Sequence, residues 1–271
     1  MRILRAGLSL SSCHADSVPT HRFASSKAGA QAVYFPACIN RMFGNSDPAH
    51  PANLPLPQAV VELGRRSGVP VWIPQDVGGR CCGTLWSSKS YNEGFKYHAS
   101  QIVNDMCRWS DQGQLPIIVD ASSCAHGILE NIPTVLSGTY KKLFSQLRIL
   151  DVVEWLVTEV IDHLTTTETL GNIAVHPTCS IQHLGLDADL LKVAQTIGAA
   201  SVPEGTHCCG SAGDRVILHP ELTESATTRF STSDFPLNPY KVLPATASMP
   251  CSRKTLHGID STCNKERFTH S

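Results

Sequence analysis

The sequence is poor in charge and has no long apolar run. Only 17% of its 271 residues are charged, and the formal net charge is −1. Without a basic stripe to bind phosphates, we expect no nucleic-acid partner. No segment offers the ~18 uncharged apolar residues of a membrane span, so no transmembrane segment is predicted. We expect a cytoplasmic protein, peripheral at most on the inner face of the membrane.

A glycine-rich dinucleotide fingerprint is also missing. Gly210-Ser211-Ala212-Gly213 lacks the third glycine and opens on a Cys-Cys pair. The chain therefore shows no recognisable flavin or nicotinamide site, and no spacing supports a Ser-His-Asp or paired-carboxylate hydrolase. A hydrophobic content of 42% does support the core of one large or two modest domains.

Cysteine is abundant, with eleven residues in all. The odd number and wide spacing do not fit a small disulfide scaffold. Two pairs are adjacent and precede glycine, Cys81-Cys82-Gly83 and Cys208-Cys209-Gly210. Neighbouring Cα atoms lie about 3.8 Å apart, too close for the roughly 4.4–6.8 Å of a disulfide. Adjacent thiolates can instead reach two metal atoms of one cluster, and glycine lets the backbone turn closely around it.

The pattern of apolar residues predicts alternating strands and helices. Strands are predicted at 32–35, 69–73, 116–119, 148–150, 172–176 and 201–202, and helices at 57–66, 91–109, 152–164 and 187–197, the last with Asp187 as its N-cap. The predicted fold class is α/β: two pseudo-repeated βα units with cysteine loops at the C-terminal ends of strands, and disordered or irregular termini.

The cysteines follow predicted strands, and open α/β sheets bind ligands at the carboxyl ends of their strands. We therefore expect four thiols of the first half to converge in one crevice: Cys38, Cys81, Cys82 and Cys124. Cys107, inside a helix, is interpreted as a core residue.

The cysteine spacing repeats. Cys82 to Cys124 spans 42 positions, as does Cys209 to Cys251, and the two Cys-Cys pairs are offset by 127 positions. Only the first interval differs, being 43 positions in the first half and 29 in the second. This predicts two halves with four thiols each. The second set is Cys179, Cys208, Cys209 and Cys251.

These patterns divide the chain into four parts. We predict a disordered segment at 1–30, a first cysteine-rich unit at 31–168, the core of a second unit at 169–230, and an irregular tail at 231–271. The last strand of the second unit, near 240–243, is expected to be poorly formed, which leaves Cys251 after no convincing strand. Cys251→Ser should then change the metal content far less than Cys124→Ser.

Several motifs together resemble a known family. They are Tyr34 to Gly44, Cys81 to Lys89, Asp120 to Cys124, His176 to Cys179, and Gly213 to Leu222. The pattern is similar to the cysteine-rich (CCG) domain family, which is found in heterodisulfide reductases and in the iron–sulfur subunit of glycolate oxidase. One branch is closer still, the C-terminal region of bacterial D-lactate dehydrogenases that combine FAD, ferredoxin-like and CCG parts.

Three features depart from that family. The FAD and ferredoxin-like parts are not in this sequence. Ala121 and Ser248 occupy the first position of the family's Cys-x-x-Cys motifs. The branch also has Asn-Arg-Thr-Cys where this chain has Ser248-Met249-Pro250-Cys251.

The resemblance implies an iron–sulfur protein with clusters of the 4Fe-4S type. The implied ligands are the eight cysteines, with Gly83 and Gly210 beside them. FAD would lie on a missing domain or on a partner protein. The chain would be the electron-transfer region of a flavin-dependent D-lactate, or related 2-hydroxyacid, dehydrogenase and pass electrons to a quinone or cytochrome. No catalytic residue is predicted in this chain itself.

Two alternatives stay open. A heterodisulfide-type reductase would use its thiols to cleave a substrate disulfide. A structural zinc module would need four N or S ligands in each half, although adjacent cysteines crowd a single tetrahedral ion. Four histidines near the cysteines are candidate ligands or hydrogen-bond donors: His126, His176, His183 and His207.

Overall fold

The computed structural model describes residues 25–43, 54–166, 169–211, 213, 218–227 and 241–244. Within them the chain is a mixed α/β protein with two parallel sheets, as predicted. The strands are β1 (Ala32–Phe35), β2 (Val71–Trp72), β3 (Ile117–Val119), β4 (Ile149–Asp151), β5 (Asn172–His176), β6 (Ala199–Ser201) and β7 (Lys241–Pro244). Among the described residues, no helix is long and apolar enough to cross a membrane.

The α-helices lie between and after these strands. They are α1 (Cys38–Phe43), α2 (Leu56–Ser67), α3 (Thr84–Ser88), α4 (Asn92–Trp109), α5 (Ser122–His126), α6 (Ile132–Val135), α7 (Gly138–Phe144), α8 (Val152–Trp155), α9 (Cys179–Leu184), α10 (Asp187–Gln195) and α11 (Pro220–Thr227). A π-helix at Gly127–Asn131 joins α5 to α6. The predicted helix over 152–164 is α8 continued by a π turn and a 3-10 turn. Asp187 is the first residue of α10 and Leu186 its N-cap, so the predicted cap was one residue off.

The first sheet has the strand order β2-β1-β3-β4, with every pair parallel. All four residues of β1 are buried, because a parallel sheet is covered by helices on both faces. The largest fully buried side chains include Trp109 and Trp155. All the strands point the same way, so their carboxyl ends form one edge of the sheet.

The second sheet repeats the first in topology. Its order is β6-β5-β7, so the first strand of the unit lies in the middle, the second on one side and the third on the other, as in β2-β1-β3. In the described part of the second unit, β4 has no counterpart. The pseudo-repeat seen in the cysteine spacing is therefore also a repeat of strand order.

Strand β7 corrects one prediction. It pairs in parallel with β5 over four positions, from Ile173 with Lys241 to His176 with Pro244. The expectation that this strand would be poorly formed is therefore wrong. Lys-Val-Leu-Pro has too few apolar residues to be read as a strand alone, and its place depends on β5 beside it. Cys251 and the rest of the predicted tail lie outside the described residues.

The described end of the predicted N-terminal segment contacts the first unit. Residues 1–24 of the predicted disordered segment lie outside the described residues, but 25–30 are placed on the first unit. The Ser25 hydroxyl accepts a hydrogen bond from the Ile73 N–H at 2.8 Å. Lys27 forms an ion pair of 2.6 Å with Asp111 and lies 5.2 Å from the ring centroid of Trp72. Such contacts with distant residues leave no signal in the local sequence.

Candidate metal centre

Four thiols meet at the carboxyl edge of the first sheet. Cys38 begins α1 three residues after β1, and its Sγ lies 4.0 Å from Cys81 Sγ. Cys124 lies in α5, just beyond β3, and its Sγ is 3.0 Å from Cys82 Sγ. All four thiols are free, with Cys82 and Cys124 buried and the other two half-buried. The structure thus brings together the four first-half cysteines that the sequence predicted would converge.

The pKa values of Cys81 and Cys38 shift in opposite directions. Hydrogen bonding from the side chain of Cys38, and then of Cys82, lowers the pKa of Cys81 far below its ordinary value. The Gly83 N–H also donates to this sulfur, 3.4 Å from Cys81 Sγ. The pKa of Cys38 is raised, chiefly by the same hydrogen bond with Cys81. Cys81 therefore ionises more readily than Cys38, and the thiolate is the form that binds metal.

Gly83 gives the loop its close turn. Its φ of +84° is in the left-handed region, and a Cβ there would lie 3.1 Å from the Phe95 ring. The residue N-caps α3, whose first residue, Thr84, places Oγ1 3.2 Å from Cys82 Sγ. The glycine therefore allows two adjacent thiols to face one crevice while the chain turns into a helix.

The second Cys-Cys-Gly loop has the same local contacts. The Gly210 N–H lies 3.4 Å from Cys208 Sγ, and Gly210 has φ of +71°. Cys209 Sγ lies 3.1 Å from Ser211 Oγ, close to the 3.2 Å between Cys82 Sγ and Thr84 Oγ1 in the first unit. The structural repeat therefore extends to individual hydrogen bonds around the sulfur atoms.

Cys179 occupies the place of Cys38 in the second unit. It begins α9 three residues after β5, and its side chain hydrogen-bonds that of Cys208. Burial, and then this hydrogen bond, raise the pKa of Cys179. Both thiols are exposed, however, whereas Cys209 is half-buried. The fourth predicted member, Cys251, lies outside the described residues.

The donor set fits an iron–sulfur group. The first crevice presents four thiols from three loops, and soft thiolates are the ligands preferred by iron–sulfur clusters and by zinc. In the part of the chain that the structure describes, no three His, Cys, Asp or Glu side chains are arranged as a site for one metal ion.

Comparison with known proteins agrees with this chemistry. Residues 32–128 match the model of the CCG family, described as a cysteine-rich domain. This region resembles a CCG domain. It contains all four cysteines of the first crevice, so the predicted family is confirmed.

A curated relative extends the likeness beyond the CCG domain. The chain is 27% identical over 164 residues to the glycolate oxidase iron-sulfur subunit of Escherichia coli (strain K12). The alignment covers 58% of this chain but only 39% of the relative, so the chain spans about two fifths of that protein's length. Together with the family match, this relative supports an iron–sulfur electron-transfer module.

Two buried charged residues of this region could not be assigned a role from the sequence. Asp120 accepts hydrogen bonds of 2.6 Å from both the Tyr34 hydroxyl and the Ala37 N–H, and so joins β3 to the loop of Cys38. Arg41 donates to backbone carbonyls of the cysteine loops. Each of the two charged residues lies in an apolar motif, close in sequence to a cysteine. A charged residue in such a position could have indicated a role beside the cysteines.

The candidate histidines have several places. His126 and His183 face each other where α5 meets α9, with ring centroids 5.3 Å apart. His176 Nε2 donates to the carbonyl of His207 at 3.0 Å, because a carbonyl can only accept. His98, which the sequence did not single out, hydrogen-bonds Cys81 and helps to lower its pKa. His98 therefore lies beside the Cys81 thiolate.

Proposed function

We propose that the chain is the iron–sulfur electron-transfer region of a flavin-dependent 2-hydroxyacid dehydrogenase, with D-lactate as its substrate. The observation that carries this proposal is the convergence of four free thiols at one sheet edge, in the CCG domain. A 4Fe-4S cluster bound there would take and release electrons singly, whereas a flavin removes two from the hydroxyacid.

The residues of this chain would hold and shield that group. The ligands would be Cys38, Cys81, Cys82 and Cys124. Burial of Cys82 and Cys124 excludes water from one side of the crevice. The Gly83 N–H and the Thr84 hydroxyl stand next to sulfur atoms and would tune the potential by hydrogen bonding.

The second unit would hold a second cluster. Its ligands would be Cys179, Cys208, Cys209 and Cys251, with Gly210 making the turn. The support is the repeated strand order and the repeated contacts around Cys208 and Cys209.

The proposed function requires partners. FAD would be carried by a dehydrogenase domain or by a separate flavoprotein. The curated relative supports a separate flavoprotein, because its name describes it as a subunit. Electrons would leave to a quinone or a cytochrome. Such a complex would work in the cytoplasm, peripherally on the inner face of the membrane.

Electron delivery from a flavoprotein tests the proposal. The anaerobically reconstituted chain would be mixed with a FAD-containing D-lactate dehydrogenase and D-lactate, and its visible charge-transfer absorption followed. We expect bleaching on addition of D-lactate and recovery with a quinone analogue. The chain with FAD alone should not oxidise D-lactate. Cys82→Ser should abolish the signal of the first site, whereas Cys107→Ser, a buried cysteine of α4, should leave it unchanged.

Other outcomes would redirect the proposal. Bleaching by glycolate but not D-lactate, with a matching flavoprotein, would change the substrate and keep the function class. Oxidation of the reduced chain by a thiol disulfide, without any response to quinone, would favour a disulfide reductase. Stoichiometric zinc without iron would favour a structural zinc module.

A further inference from the structure

Arg41 is a buried charge that contacts both cysteine loops. Its side chain is 8% exposed and comes from the helix that Cys38 begins. Nε donates to the Pro36 carbonyl at 3.1 Å and Nη1 to the Val77 carbonyl at 2.7 Å. Nη2 donates to the carbonyl of Arg80, the residue immediately before Cys81. One guanidinium therefore fastens the loop of Cys38 to the loop of Cys81.

The charge of Arg41 is close to the thiols it positions. It interacts electrostatically with Cys38, Cys81 and Cys124. Its hydrogen bonds within the described residues go to neutral carbonyls, although Asp120 is near enough to interact with it. Burying an arginine without a bonded anion costs free energy. Thiolates and a negatively charged cluster would offset that cost.

In the described part of the second unit, no cation stands at the corresponding position. Counting three residues on from the first cysteine gives Gln182, which is neutral and exposed. The carbonyl before the second Cys-Cys pair, that of His207, is held instead by His176 at 3.0 Å. The two units therefore hold the same carbonyl by different means, a permanent guanidinium charge in one and an imidazole in the other.

We propose that Arg41 is the positioning residue of the first site, and that its charge raises the reduction potential of a cluster bound there. The inference rests on the proposed iron–sulfur function. A reduced cluster carries one more negative charge than the oxidised one, so a nearby cation stabilises the reduced form. Loss of the charge should therefore lower the potential.

The test uses the full chain with Cys208→Ser and Cys209→Ser, so that only the first site can load. Arg41→Gln, Arg41→Lys and the control Arg65→Gln would be reconstituted anaerobically. Arg65 is a good control because it lies exposed on α2 and pairs with Glu62. The measurements are iron content and the midpoint potential from a titration monitored by electron paramagnetic resonance.

At a fixed applied potential, we expect Arg41→Gln to raise the ratio of oxidised to reduced cluster about tenfold. For one electron this corresponds to a midpoint potential about 59 mV lower. Arg41→Lys keeps the charge and loses the three-way contact, so it should bind less iron and keep a potential near that of the parent. Arg65→Gln should change neither quantity. Iron loss from both Arg41 variants, with unfolding unchanged, would support the positioning role.

Three results would overturn the inference. The first is a parental potential in iron-loaded Arg41→Gln. The second is an equal fall in potential in Arg41→Lys, which would assign the effect to geometry and not to charge. The third is failure of both variants to fold, which would make Arg41 a residue of the fold alone. A parent chain that takes up no iron would instead refute the proposed function itself, and this inference with it.

Discussion

The two units share a plan and differ in how they surround it. Both place a first cysteine three residues after the central strand, and both follow the Cys-Cys pair with a left-handed glycine. The first unit buries Cys82 and Cys124 and ties its loops with Asp120 and Arg41. The second exposes Cys179 and Cys208. The two units thus share the geometry that brings the thiols together. They differ in burial and charge, the properties that set the reduction potential of a bound cluster.

The largest expected effect is iron loss on removal of a cysteine. Cys124→Ser should remove all iron from the first unit, about four atoms for a 4Fe-4S cluster. Since β7 occupies the place of β3, we now expect Cys251→Ser to remove a similar amount from the second unit. Iron and acid-labile sulfide per chain are the measurements, with Cys107→Ser as the control that loses none. Loss from Cys124→Ser alone would show that the second unit holds no cluster and would reinstate the ranking that the sequence predicted.

A second prediction concerns β4, a strand of the first unit that has no counterpart among the described residues of the second. Asp151 ends β4, is 1% exposed, and accepts from the Val153 N–H at 2.8 Å. Burial raises its pKa from 3.8 to about 6. Because the pKa of this carboxyl is higher in the folded protein than in the unfolded chain, its ionisation destabilises the fold. The penalty is complete above the folded pKa and disappears as pH falls toward the unfolded pKa. Asp151→Asn should therefore gain up to about 3 kcal/mol over the parent at pH 8.

The gain should shrink as pH is lowered toward 5, and urea unfolding across this range measures it. Asp162→Asn, at an exposed aspartate of the 3-10 turn, is the control for removing one carboxylate from the surface. A difference for Asp151→Asn that does not vary with pH would mean that the carboxyl is ionised in the fold at no cost.

The smallest expected effect compares the two glycine turns. Gly83→Ala and Gly210→Ala should each cost about 1–2 kcal/mol, because both glycines have left-handed φ. The new methyl at Gly83 would meet the Phe95 ring at 3.1 Å, whereas at Gly210 it would meet the Leu222 carbonyl and the Ala226 methyl at the same distance. Backbone yields less than a ring, so Gly210→Ala should be the more costly.

Unfolding in urea measures both variants, and Gly138→Ala is a control with positive φ and open space around the new methyl. A smaller loss of unfolding free energy for Gly210→Ala than for Gly83→Ala would contradict this account of the second turn.

The sequence predicted what depends on local pattern. The bounds of β1 and β5 were as predicted, because Ala32–Phe35 and Asn172–His176 are short apolar runs followed by turn residues. The grouping of the four first-half thiols followed from the rule that parallel strands end at one edge. Strand β7 was placed correctly near 240–243, but it was expected to be poorly formed, because the sequence does not show its pairing with β5. The role of Arg41 was missed, because its partners are backbone carbonyls up to 39 residues away.

The most direct test of the central claim is the metal content of the full chain purified without oxygen. The account predicts a brown protein with iron and acid-labile sulfide in equal amounts, visible charge-transfer absorption, and loss of the first site's share in the Cys81→Ser, Cys82→Ser double variant. A colourless protein that holds stoichiometric zinc and binds no iron on anaerobic reconstitution would contradict it.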